Sequence, residues 1–505
     1  MQHGQLAVQN KNYTAALDLF GKAEAENPKD PQIKACLGQT LCWLGMRDQG
    51  LKKLHQAGEL LLKKARKSRD ITLLLALAEQ LQHWNDYAGA VKLYTQAVQV
   101  NGAVIRAYQM LALAHMQLNQ KKPALAAGRQ ALKLAPNSAV LGILIATLEF
   151  ADGLTVEAKT RLQKILQNPL LKAEEQFQAH KELAKVLDKL GEYDQVFNHL
   201  HASATIAPLL PDIKRQNANL VPNMLKTNQI EFDRELLGRW ANTPFPADQP
   251  PPVFLLGFMR TGTTLTQEVL GAHPEVFVAD ETDLVSSMAQ ELSRLTNGQG
   301  SSALQLRQLD LAGVLHLRSF YWKRARALYG DKIGKRLLLD KTTMNTIDLG
   351  LINAIFPDAK LVFLLRDPRD VCLSCFMQIM TPTASTVHLV NWESTARFYA
   401  QVMTWWQAIK PRLCMNYIEF RYEDAVFDFE PAFRKVFDFL GLTWNPGVAD
   451  FHKHAAGKYI ASPSSSQVTQ PLYSSSVGRW RRYATEYPAV EVYLQPFIEA
   501  FGYQQ

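Results

Sequence analysis

The first 205 residues repeat themselves, and that periodicity restricts the fold more than any single motif does. Small or apolar residues recur at Ala23, Ala57, Ala97, Ala131, Ile165 and Ser203, separated by 34, 40, 34, 34 and 38 residues. Ten residues before each stand Tyr13, Arg47, Tyr87, Lys121, Thr155 and Tyr193. Several units close on an Asn/Pro or Asn/Gly stop: Asn27-Pro28, Asn101-Gly102, Pro136-Asn137 and Asn168-Pro169. Paired helical patterns at this period cannot bury their apolar faces singly, so successive pairs must stack.

A 34-residue period with a tyrosine at the helix turn resembles tetratricopeptide repeats. About six repeats are expected over residues 1–205, forming an all-α solenoid with a concave groove for a peptide or protein. The fifth is degenerate, with Thr155 and Ile165 at the Tyr and Ala positions. The first lacks room for a full leading helix, so a truncated or mis-set start is expected. Residues 206–252 read as a connection: one or two helices within Ile213–Ala241, then the proline-rich stretch Asn242–Pro252.

From residue 253 the pattern changes. Short apolar runs (Val253–Leu256, Val276–Val278, Leu337–Leu339, Leu361–Leu365, Asn416–Phe420) alternate with helical patterns at Leu265–Gly271, Leu306–Tyr329, Asp367–Met377, Trp392–Ile409 and Pro431–Leu440. This predicts an α/β domain over 253–505 with a mainly parallel sheet, whose ligands bind beyond the carboxyl ends of the strands. The polar residues of interest fall there.

The segment Val253–Thr264 reads as strand, phosphate-cradling loop and helix start. Its spacing, Gly257-x4-Gly262-x-Thr264, matches a nucleotide P-loop, but Thr263 stands where the lysine belongs. That lysine neutralises β- and γ-phosphates. Its absence, with Arg260 inside the loop, points to a nucleotide 5′-phosphate carrying a transferable group. Three further segments sit at strand ends: Asp280-Glu281-Thr282, Asp340-Lys341, and Arg366–Ser374. In the last, Asp367 caps a helix with Pro368 at its first position. Ser374 lies roughly 9 Å along that helix at 1.5 Å per residue, near enough for an extended Arg366 to share one anion with it.

At these residues the chain resembles the sulfotransferases, and among them the protein-tyrosine sulfotransferases. The resemblance rests on Met259-Arg260-Thr261-Gly262-Thr263-Thr264 after a strand, then His273-Pro274, then Glu281-Thr282, and on Arg366 and Ser374 eight apart after a second strand. The layout is similar to that of bacterial proteins that join tetratricopeptide repeats to such a P-loop-like domain. The resemblance implies that Arg260, Thr261, Gly262, Thr263 and Thr264 hold the 5′-phosphate and sulfuryl group of 3′-phosphoadenosine 5′-phosphosulfate (PAPS). It further implies that Arg366 and Ser374 hold the 3′-phosphate and that Tyr422 lies beside the adenosine. Glu281 would be the base, and Lys341 would stabilise the leaving phosphate. The run Ser464–Trp480 resembles a closing loop in which Ser464 assists transfer and Arg479 stands near the 3′-phosphate. Two residues depart from the family pattern, each standing where an arginine is expected: Asp283 and Gln378. No metal is implied.

The remaining features narrow the class. The net charge of +8 favours acidic partners. No basic cluster interleaved with aromatics suggests nucleic acid. No apolar run is long enough to span a bilayer, and the first twenty residues lack a signal-peptide pattern. A cytoplasmic setting is therefore expected. Cys372-x-x-Cys375 is expected to be buried helix rather than redox-active, and His452-x-His454, on a strand or loop, is a weak metal signal. Alternatives to the leading reading keep PAPS with a carbohydrate or small-molecule acceptor, replace it with a nucleoside triphosphate, or make the chain a non-enzymatic repeat adaptor with a decayed transferase domain.

Overall fold

The computed structural model describes residues 1–455 and 468–503. The chain divides into two compact units: Met1–Leu171 with Arg326–Gly330, and Lys172–Ala325 with Asp331–Gln505.

The first unit is helical. Its paired helices are Gln2–Gln9 with Tyr13–Glu26, Pro31–Trp43 with Arg47–Ser68, Thr72–His83 with Tyr87–Val100, Ile105–Gln117 with Lys121–Leu134, and Ala139–Ala151 with Thr155–Leu166. Each second helix starts at the residue that the period marked: Tyr13, Arg47, Tyr87, Lys121 and Thr155. The 40-residue step has a plain cause, because Arg47–Ser68 runs 22 residues where its counterparts Tyr87–Val100 and Lys121–Leu134 run 14. Starts are capped locally. The carboxylate of Asp30 accepts from the N–H of Gln32 at 2.7 Å with Pro31 at the first helical position, and Ser138 caps Ala139–Ala151. Leu54, Ala57, Leu77, Ala78, Ala90, Tyr94 and Ala97 form a shared buried seam between successive pairs. A Cβ on Gly38 would stand 2.8 Å from the Gly50 carbonyl oxygen, and one on Gly50 2.6 Å from that of Gly38. Paired glycines thus let these two helices close backbone to backbone.

The second unit opens with another helix pair, Ala173–Leu190 and Tyr193–Ile206, so the last helix pair of the repeat series packs with the residues that follow it. Its leading helix runs 18 residues, which accounts for the 38-residue step. Helices Pro211–Lys214, Leu220–Glu231 and Arg234–Gly238 follow. Phe232 is 1% exposed, with its ring centroid 6.0 Å from that of Trp405, so this stretch contributes to the unit's core.

The sheet has five strands: β1 Val253–Gly257, β2 Val276–Asp280, β3 Leu337–Lys341, β4 Lys360–Leu365 and β5 Asn416–Arg421. Their order is β2-β3-β1-β4-β5 and all pairings are parallel. Val253 pairs with Leu339 on one side and Lys360 on the other. The central strand is buried along its whole length, as expected of a parallel strand covered on both faces. The order reverses at β1, which opens a crevice at its carboxyl end. All five strands match the apolar runs, each extended by one or two residues. Asp280 and Lys341 are therefore the last residues of β2 and β3 rather than positions beyond them. The pattern over Leu306–Tyr329 is two helices, Ser302–Arg307 and Leu311–Tyr329, because Asp310 interrupts it and its carboxylate caps Gly313. His452 and His454 lie on a short helix, Phe451–Ala455, instead of a strand or loop.

Candidate functional site

The loop after β1 is shaped by its own side chains. The Thr261 hydroxyl donates to the Phe258 carbonyl at 2.7 Å, while Thr346 donates to the Gly257 carbonyl at 2.7 Å and accepts from the Gly257 N–H. Arg260 has φ +68° and Gly262 φ +102°. A Cβ at Gly262 would lie 2.5 Å from a ring carbon of Tyr422, so glycine is required there for conformation and space alike. Helix Thr263–Gly271 begins at once, and its first-turn N–H groups and dipole make that end a natural anion seat.

Two cavities meet at this loop, and Arg260, Gly262 and Thr264 line both. The first adds Arg366, Ser374, Tyr422 and Arg479 to its walls. Ser374 accepts from Nε of Arg260 at 3.0 Å, which ties the two anion-binding segments together. Arg366 donates to the Arg260 carbonyl at 3.1 Å and to the Ser476 carbonyl at 2.6 Å, and lies 4.7 Å above the Tyr422 ring. Its Nε is buried with no hydrogen-bond partner among the described residues. A buried guanidinium N–H without an acceptor is costly, and a phosphate oxygen would satisfy it. Burial depresses the pKa of the Arg260 guanidinium below its ordinary value, with Cys375 opposing and Arg366 reinforcing the shift.

The second cavity contains Glu281 and Lys341. The Lys341 ammonium, 1% exposed, donates to Glu281 at 2.6 Å and to Asp280 at 3.1 Å. Burial works against that charge, but Asp280 and Glu281 outweigh it, and the lysine pKa stands above its usual value. Glu281 has φ +47°, a left-handed backbone that non-glycine residues seldom adopt, held by its N–H to the Lys341 carbonyl at 2.8 Å. Thr263 and Thr343 hydroxyls meet at 3.0 Å beside this pair. Next door, Asp340 is fully buried and accepts from Tyr321 at 2.8 Å; burial pushes its carboxyl up to about 7.

Ten of the residues singled out in the sequence thus line the two adjoining cavities: Arg260, Gly262, Thr263, Thr264, Glu281, Lys341, Arg366, Ser374, Tyr422 and Arg479. Thr261 lines neither; it is buried, with its hydroxyl turned into the loop's own backbone. Ser464 lies outside the described residues. Arg479 lines the first cavity but is ion-paired with Asp188 at 2.8 Å. Asp188, on the helix Ala173–Leu190, also accepts from the Tyr483 hydroxyl. Asp370 takes the N–H groups of Gly478 and Trp480 at 2.6 and 2.8 Å, which fastens the segment carrying Arg479. Sequence reasoning missed both aspartates, because their partners are over 100 residues away and no local pattern marks them. Gln378 ends its helix and faces a different, apolar cavity. Asp283 is paired with Arg324 at 2.7 Å. Cys372 and Cys375 are fully buried, and burial pushes the Cys375 thiol up to about 12, so neither is a ready nucleophile. Among the described residues no group of three metal-ligating side chains occurs. Nor is any described helix long and apolar enough to cross a membrane.

Fold and site together define a helical-repeat protein with an α/β domain whose crevice is lined by arginine and lysine. Residues 251–446 match the model of the sulfotransferase family, and residues 105–138 match a tetratricopeptide repeat. The sulfotransferase model thus covers most of the parallel-sheet region, and the repeat model one helix pair of the first unit. It is 26% identical over 354 residues to an uncharacterized protein of Aquifex aeolicus, covering 67% of this chain and 43% of that one. It is also 26% identical to protein-tyrosine sulfotransferase A of Caenorhabditis elegans over 46% of this chain and 61% of the relative. With the protein-tyrosine sulfotransferase of Drosophila melanogaster the identity is 27%, over 46% and 47%. The chain thus spans less than two thirds of the length of each of these relatives.

Proposed function

We propose that this chain moves the sulfuryl group of PAPS to an acceptor hydroxyl, the tyrosine of a peptide or protein held by the repeats. The supporting observation is a buried lysine and a carboxylate 2.6 Å apart in one cavity, sharing the Arg260–Thr264 loop with a second cavity lined by Arg366, whose buried Nε has no hydrogen-bond partner among the described residues. Arg366, Ser374 and Tyr422 would hold the nucleotide, and PAPS would supply an electrophilic sulfuryl group. A cytoplasmic setting fits five free cysteines.

In this reading the acceptor oxygen attacks in line as the bond to the leaving phosphate breaks. Arg260, Lys341 and the loop N–H groups face the negative charge that develops, each well-placed donor contributing on the order of 3 kcal/mol. A phenol has a pKa of about 10, so a base assists at neutral pH, and Glu281 is within reach of a hydroxyl delivered to the cavity. The electrostatic work falls to side chains and amides, without a lysine for β- and γ-phosphates.

The test is incubation with sulfur-labelled PAPS and tyrosine peptides, glycans and small phenols, with location of the label. Label on tyrosine supports the reading in full. Label on glycan alone replaces the acceptor. No transfer, with magnesium triphosphates bound and adenosine 3′,5′-bisphosphate ignored, overturns it.

A further inference from the structure

Beyond the transfer cavity lies a third, apolar one of about 330 Å³ whose role neither motif nor family match assigns. Its volume falls in the range of small-molecule sites, about 300–1,000 Å³. Ile379, Met380 and Thr386 line both this cavity and the one holding Glu281 and Lys341. Three chambers therefore follow one another through shared walls: nucleotide-type pocket, transfer cavity, apolar cavity. The walls of the third come from Phe177 on the helix Ala173–Leu190, from Leu210 and Ile213, and from the Thr386–Val390 segment. Phe177, Leu210 and Leu389 are under 9% exposed, and Ile379 and Val390 pack against the same cluster.

Charge decides what such a chamber accepts. Among the described residues its lining contains no lysine, arginine or histidine, and the ionisable ones there are Glu174 and Asp212, both exposed. Against these described walls a phosphate or sulfate would meet two carboxylates of its own sign and no cation, so the charged donor is disfavoured there. An uncharged apolar group would release water from apolar walls and forfeit no hydrogen bond.

Resting on the sulfotransferase reading above, we infer that this cavity is an acceptor subsite. It takes an apolar arm carried by the same molecule as the hydroxyl that receives the sulfuryl group. The acceptor is then amphipathic, its hydroxyl at Glu281 and its apolar arm past Ile379 and Met380. One wall of this subsite is the leading helix of the last pair of the repeat series, Ala173–Leu190, so that helix takes part in acceptor selection.

Calorimetry of a para-alkylphenol series tests this without requiring turnover, using the whole chain saturated with adenosine 3′,5′-bisphosphate. Affinity should rise at least about tenfold from phenol to 4-hexylphenol, as expected for methylenes entering an apolar pocket. Gln178→Trp, at an exposed position lining the cavity, and Val387→Phe should each cut that gain to below about threefold. Bisphosphate affinity serves as the control on folding. Equal affinity across the series in the wild-type protein overturns the subsite while leaving the transferase reading intact. A chain-length gain that survives both substitutions also overturns it. A wild-type protein that ignores the bisphosphate sinks the transferase reading and this inference with it.

Discussion

Replacing Lys341 by methionine tests the centre of the proposed chemistry. The side chain is 1% exposed and has carboxylates at 2.6 and 3.1 Å, so water screens it little. Methionine keeps much of the volume and removes the charge. If the ammonium faces the leaving oxygen, its loss costs about 3 kcal/mol of transition-state stabilisation, or roughly 150-fold in rate. Glu281→Gln should lower turnover by more than about tenfold, the low end for a general base. The two residues touch, so their effects should not multiply: the double variant should be less impaired than the product of the single losses, by at least about 0.5 kcal/mol of coupling. Single-turnover transfer from labelled PAPS gives the rates, and calorimetry with adenosine 3′,5′-bisphosphate reports donor binding separately. A Lys341→Met protein within about threefold of wild type, or strictly multiplicative losses, would refute a joint role for the pair.

Three other outcomes are expected. Arg366→Ala should weaken bisphosphate binding by more than about tenfold, since a charge-assisted contact contributes roughly 1.5–3 kcal/mol; an unchanged dissociation constant in calorimetry would remove Arg366 from the donor site. Asp188→Ala strips the carboxylate from Arg479 and Tyr483 and should destabilise the second unit by about 3 kcal/mol, the low end for a buried pair because Arg479 is a quarter exposed. Urea unfolding measures this, and a loss below about 0.5 kcal/mol would make the contact incidental. Asp340 carries a folded-state pKa raised to about 7 by burial, so its stabilising contribution is full below about pH 4 and is lost as pH rises to about 7. Asp340→Asn should flatten the dependence of the urea midpoint between pH 5 and 7; an unaltered slope would show that this carboxyl does not titrate there.

The parts of the fold that were readable from sequence are those fixed by local chemistry. Strands β1, β3 and β4 announced themselves as apolar runs because the middle of the sheet is buried on both faces, whereas the half-exposed edge strand β5 shows only as an alternation of polar and apolar residues. The second helices of the repeats were found at Tyr13, Arg47, Tyr87, Lys121 and Thr155 because the turn before each recurs in sequence. The site was legible in a different way. Spacing alone marked Gly257–Thr264 as an anion loop and Arg366–Ser374 as a capped helix, but Glu281 and Lys341 acquired roles only through the family resemblance. Their proximity is set by the pairing of β2 with β3, in which Asp280 stands opposite Lys341. Asp188 and Asp370 were invisible, since each acts on a segment far along the chain. The apolar cavity was equally hidden, being assembled from three segments that look like ordinary core and loop. The break at Asp310 was missed because apolar spacing continues across it.

Arg260 and Glu281 share an uncommon posture, each a bulky polar residue at positive φ. Such a conformation costs on the order of 1 kcal/mol or more per residue, and glycine would relieve it. Selection for heat tolerance alone would therefore drift toward glycine at both places, discarding a cation and a carboxylate from the crevice. Directed-evolution libraries ranked by melting temperature should fix these two positions beforehand, because there the sturdiest descendants would be the inert ones.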